Sequence, residues 1–128
     1  MMGQLIALLF LARELGHRAH LRVKGPGAYA AHIALGDFYS GIGDHADSIT
    51  EAYQGQFGEL LEVPMLEGAL PEGFASGAQF IPVLRDHMEW LAANRYAACP
   101  RDQTAIQNLI DEAVGLYQST TYKLANLQ

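Results

Sequence analysis

HLRVKGPGAYAAH, residues 20–32, is the stretch that decides how this chain folds. Lys24-Gly25-Pro26-Gly27 interrupts it, because glycine takes dihedrals that other residues avoid and proline cannot continue a hydrogen-bond ladder. Upstream, Leu5, Leu8, Leu9, Ala12, Leu15 and Ala19 recur at helical spacing, so the first twenty-two residues read as one helix. Downstream, Tyr29, Ile33, Leu35, Phe38, Ile42, Ala46, Ile49 and Tyr53 lack the alternation of a strand. They drift around a helix running from about Ala28 to Gln54, which suits an element buried on more than one side. Gly36, Gly41 and Gly43 weaken that helix, by roughly 1 kcal/mol each relative to Ala in an exposed interior. They also mark places where another element comes close. The stretch is therefore a turn between two helices, with an imidazole on each side of it.

Working outward, Ala78–Ala97 reads as a third helix, with Phe80, Ile81, Leu84, Met88 and Leu91 on one side. Pro82 falls in its first turn, where proline is tolerated. Cys99-Pro100-Arg101-Asp102 is a break with Asp102 as the expected N-cap. Gln103–Leu127 is the cleanest helix, with Ile106, Leu109, Ile110, Ala113, Tyr117, Thr120 and Leu124 on one face. Between the second and third helices, Gly55–Gly77 is irregular and punctuated by Pro64, Gly68, Pro71, Gly73 and Ser76-Gly77. A short helix is expected over Phe57–Val63. A connection this long is unusual unless it crosses the domain or carries function. Two short turns flanking one long central connection predict an all-α fold, a four-helix bundle with a crossover, the ferritin-like arrangement. Residues 1–128 form a single domain.

Half the residues are hydrophobic and 17% are charged, the balance of a globular chain. The net charge of −6 argues against nucleic acid as the main partner, since phosphate binding relies on clustered Lys and Arg. Cys99 is the single cysteine, which rules out an intrachain disulfide and points to a reducing, cytoplasmic setting. The apolar run Leu5–Ala12 lacks a basic leader and is too short to span a membrane, so it reads as part of a buried first helix rather than a targeting segment.

His20 closes the first helix and His32 lies in the first turns of the second, so the turn can bring both imidazoles to one region. Further along the second helix, Asp47 and Glu51 are four residues apart and stack on one face. Two neutral imidazoles and two carboxylates make a nitrogen–oxygen ligand set that suits iron, manganese or zinc. The carboxylates repel each other on a bare helix, and a bound cation reverses that sign. His32 and Asp47 are fifteen residues apart, about 22 Å at 1.5 Å per residue. They cannot share an ion within one chain. The four meet only if two copies pack antiparallel through this helix about a twofold axis. A single metal site made of this set requires at least a dimer.

The run from His20 through Val23-Lys24-Gly25-Pro26 to His32, followed by D-S-I-T-E at Asp47–Glu51, resembles the Dps family of mini-ferritins. Members carry a His, a similar turn, a second His twelve residues on, an Asp fifteen beyond that and a Glu four further. The likeness is strong over about Leu15–Glu51, diffuse over the last helix and poor in the middle. The resemblance implies a ferroxidase with a dinuclear iron site at a twofold interface. There Fe(II) is oxidised by peroxide, or more slowly by dioxygen, and stored as Fe(III) mineral in a hollow shell, commonly of twelve subunits. It casts Asp47 as a primary ligand, Glu51 as a bridging or primary ligand, His20 as a direct ligand and His32 as a ligand to the second iron or its water. Leu21 stands where the family usually has a Trp that intercepts oxidising equivalents. The first residues carry no Lys/Arg-rich tail of the kind many relatives use to hold DNA, so little DNA binding is expected.

The alternative function is a non-catalytic ferritin-like assembly protein with a metal, zinc for example, at its dimer interface. His17 and His45 fit neither pattern and read as cap or surface residues, and His87 receives no role. Asp37 and Asp44 could line a shell interior but read more simply as a solvated helix face. Tyr39, Tyr53, Tyr96, Tyr117, Tyr122 and Trp90 read as core or interface residues, and Cys99 as a small buried one.

Overall fold

The computed structural model describes every residue, Met1–Gln128. It contains four α-helices and no strand: α1 Met2–Arg22, α2 Ala28–Phe57, α3 Ile81–Ala98 and α4 Thr104–Asn126. The Lys-Gly-Pro-Gly break is a tight turn. Gly25 and Gly27 have φ of 88° and 78°, the left-handed region that a side chain resists. The turn folds α2 back along α1, with Gly16 against Phe38, His20 against Gly36 and Arg13 against Gly43. Glycine matters at these crossings, since a Cβ on Gly36 would stand 3.2 Å from Cε1 of His20 and one on Gly43 3.0 Å from Cδ of Arg13.

α4 runs antiparallel to α2, with Phe38 against Tyr117 and Gly41 against Leu116. It also runs antiparallel to α3, with His87 bonded to Tyr117 and Arg95 to Gln107. α1 packs on α2 and α3, and α4 on the same two, so α2 and α3 lie on a diagonal of the bundle. The core is one cluster, with Phe38, Phe80 and Tyr117 at its waist. Phe38 meets Phe80 and Tyr117 edge-on at ring separations of 6.0 and 5.2 Å. Such pairs add about 0.5–1.5 kcal/mol each beyond the area they bury. The run Leu5–Ala12 supplies Leu5, Ile6, Ala7, Leu9 and Ala12 to the interior. No helix is long and apolar enough to cross a membrane.

The expected short helix over Phe57–Val63 is not formed. α2 instead continues three residues past Gln54, and Gly58 ends it in the left-handed conformation, with its N–H on the Gln54 carbonyl. Residues 58–76 then run the length of α1. Leu61 N–H donates to the Gln54 side chain, the Glu62 carbonyl lies on Gly3, Gly68 lies on Leu11, and Lys24 N–H donates to the Ala75 carbonyl at 3.0 Å. A 3-10 turn, Gly77–Phe80, precedes α3. Ser76 and Gln79 cap it reciprocally, so the regular helix begins only at Ile81, with Pro82 in its first turn. Asp102 is not the N-cap of α4: that place falls to Gln103, whose side chain makes no capping bond, and Asp102 stays in the preceding turn.

Candidate functional site

The tight turn brings His20 and His32 ring to ring. Their imidazoles stack with centroids 3.7 Å apart and planes 16° apart. Each ring bonds to the other residue's backbone: Nδ1 of His20 lies 2.6 Å from the His32 carbonyl, and Nδ1 of His32 lies 2.8 Å from the His20 carbonyl. A carbonyl only accepts, so both Nδ1 atoms carry a proton. In the neutral rings both Nε2 atoms therefore keep a lone pair. Fixing one nitrogen on a carbonyl so that the other can ligate is the usual way a protein orients a metal-binding histidine. The same bonds join the hairpin. The His20 carbonyl is among the last four of α1, which have no partner within the helix, and His32 satisfies it.

Two further rings join this pair. His17, one turn before His20, stacks face to face on Tyr39, with centroids 4.3 Å apart and planes 10° apart. Tyr39 in turn stands 5.4 Å from the His20 ring. Neither residue was singled out by the ligand pattern. The available signal was spacing: 17 and 20 share a face of α1, and 32 and 39 share a face of α2. His45, the other histidine left to the surface, is half-buried on α2.

His32, Gly36, Tyr39, Gly43, Asp47 and Glu51 follow one another at intervals of four, three, four, four and four residues, so they form one stripe along α2. Asp47 and Glu51 are exposed. The two ion pairs of the chain, Arg18–Glu14 and Arg95–Asp111, do not involve them. Within one chain the carboxylates are not brought to the histidines, and no three His, Cys, Asp or Glu side chains converge on a common point. Between the two sets lies a groove of about 280 Å³, bounded by Phe10 and Arg13 on α1 and by Tyr39, Gly43, Asp44 and Asp47 on α2. A larger cleft, about 820 Å³, lies elsewhere, between α1 and the long connection, with Leu11, Arg18, Leu66 and Phe74 among its walls. The chemistry-bearing stripe does not open into it.

The remaining histidine, His87, is not part of this face. His87 is buried between α3 and α4, with Nδ1 3.0 Å from the Tyr117 hydroxyl. Burial lowers its pKa from 6.5 to about 4, against a weaker opposing pull from Asp86. Burial also raises the Tyr117 phenol well above its ordinary value. Cys99 is buried, its thiol pKa raised by burial and by Asp102.

No curated protein matches the chain, and no solved structure does. A family of unknown function, DUF5856, matches over residues 20–124, a span that begins at the first histidine of the stacked pair and reaches the last turns of α4. That span is most of the chain, and the protein belongs to this family.

Proposed function

We propose that two copies of the chain pack antiparallel through the exposed α1–α2 face, bind Fe(II) between them and oxidise it with peroxide or dioxygen. The product is held as Fe(III) in an oligomeric shell of mini-ferritin type. The observation that carries this reading is the stacked His20–His32 pair, with both Nδ1 protons committed to carbonyls and with His32 on the same stripe of α2 as the unpaired Asp47 and Glu51. The long connection beside α1 suits a ferritin-like crossover, since it lets α2 and α3 run in the same direction on a diagonal.

The midpoint between His32 and the carboxylates falls near Ser40, beside the open groove. A twofold axis there sets the histidines of one copy against Asp47 and Glu51 of the other, twice. Nitrogen and carboxylate donors accept Fe(II), and hard anionic oxygen favours the higher charge of Fe(III), which lowers the potential and drives oxidation. One peroxide accepts two electrons, one from each of two Fe(II) ions. The chain's own part is to hold the donors, keep the imidazoles in one tautomer and lower the repulsion between the two carboxylates by pairing them with a cation.

The test is to load the protein anaerobically with Fe(II) and then add peroxide. The reading expects a fast near-ultraviolet rise from Fe(III), lost in Asp47→Ala and Glu51→Ala while assembly persists. If the wild type assembles around zinc but oxidises no iron, the interface is structural, a role that the hairpin-joining bonds of His20 and His32 would also suit.

A further inference from the structure

We propose that the cleft between α1 and the long connection binds an extended, largely apolar peptide segment of another protein, which adds to the connection as a strand adds to a sheet edge. Residues 59–71 carry no helix, strand or turn. From Glu62 to Leu70 no main-chain N–H or carbonyl is hydrogen-bonded within the chain. The connection meets Gly3 at Glu62 and Lys24 at Ala75, so residues 62–75 keep pace with residues 3–24. At 1.5 Å per helical residue that is about 31 Å, or roughly 2.4 Å per residue of connection, a drawn-out main chain. Unpaired main chain of this kind is a template for pairing with another chain. A peptide that uses it takes affinity from main-chain bonds and specificity from its alternate side chains.

Leu66–Leu70, within that unpaired stretch, form one wall of the cleft. Its volume of about 820 Å³ falls within the roughly 300–1,000 Å³ of ligand sites. The exposed Leu21 and Leu66 and the buried Phe74 give it apolar surface. The order of contacts, Gly68 on Leu11 and then Ala75 on Lys24, sets Glu67 towards one end and Arg22 towards the other. Arg18 is already paired with Glu14, but Glu67 and Arg22 belong to neither ion pair of the chain. The occupant therefore carries a basic residue at the Glu67 end and an acidic residue at the Arg22 end. Leu11 to Arg22 spans about 16 Å along α1, and Glu67 precedes that span, so the two charges stand five to six strand residues apart at about 3.3 Å each. Alternation puts them on one face at the even spacing, six. A second copy does not fit this edge. Residues 25–84 contain no Lys or Arg, so two connections would set Glu59, Glu62, Glu67 and Glu72 of one against those of the other.

The probe is the peptide Lys-Thr-Leu-Thr-Leu-Thr-Glu, acetylated and amidated, beside versions with Lys at both ends or Glu at both ends. Binding to the full chain is read by fluorescence anisotropy, and the contact by amide hydrogen exchange. The Lys-to-Glu peptide should bind several-fold tighter than either control, and at saturation the amides of residues 66–70 should exchange more slowly. Glu67→Lys should move the preference to the peptide with Glu at both ends, and Arg22→Glu to the one with Lys at both ends. Three peptides that bind alike or not at all, preferences unchanged in both variants, or unaltered exchange over residues 66–70 at saturation would each overturn the proposal.

Discussion

Gly36 is the residue on which the histidine pair depends. The His20 ring lies over it, and a Cβ there would reach within 3.2 Å of Cε1 and 3.3 Å of Nδ1. Gly36→Ala sets two effects against each other. Helix propensity gains about 1 kcal/mol, while displacing the ring weakens one or two hydrogen bonds of about 1 kcal/mol each. Stability should change little, but the imidazole that moves is a proposed ligand. Zinc affinity, measured by competition with a chelating dye, should fall at least tenfold while the denaturation midpoint shifts only slightly. His87 makes a different prediction. Its folded pKa is lowered to about 4 from 6.5, so below pH 6.5 the unfolded chain takes up a proton that the folded chain refuses. Its contribution to stability is whole above 6.5 and is lost as the pH falls towards 4, about 3 kcal/mol in all. Denaturation midpoints across that range should show the loss, and His87→Gln, which can still bond Tyr117, should flatten it.

The helices were legible because their apolar spacing is driven by the core they share. Ile106, Ile110, Ala113, Tyr117, Thr120 and Leu124, six of the seven positions grouped on the last helix, are buried. Glycines on α2 marked crossings as expected, with Gly41 under Leu116 and Gly36 under His20. The ends were less legible. Phe57–Val63 has enough apolar residues for a helix, but Gly58 stops α2 and the following residues take their contacts from α1 instead. Asp102 has the right side chain for a cap, yet the turn after Pro100 places Gln103 there. Spacing brings out a stripe but not the ring geometry on it. His17 and Tyr39 come together only because α1 and α2 pack in one register, and that register is set by the glycines. The connection supplies a prediction of its own. Leu60 and Met65 are 85% and 97% exposed, and the Glu62 carbonyl sits directly on Gly3, where a Cβ would displace it. Gly3→Ala should loosen the connection, so limited proteolysis within residues 59–70 should speed up several-fold while far-ultraviolet circular dichroism stays unchanged.

For the whole molecule, the proposed site needs two copies, because one chain would supply only half of it. The donors are complete in number, two imidazoles and two carboxylates, but the length of α2 separates them. Symmetry is the economical way to join them, and it requires each site to draw on both copies. Mixing two variants tests this directly. One variant carries His20→Ala with His32→Ala, the other Asp47→Ala with Glu51→Ala. Each alone should bind no zinc tightly. After subunit exchange, every mixed dimer regains one intact site built from the unaltered halves, so zinc binding should return to roughly a quarter of the wild-type level at equal mixing. A mixture that has exchanged subunits and still binds nothing, or a single variant that binds like the wild type, would contradict a site shared between copies.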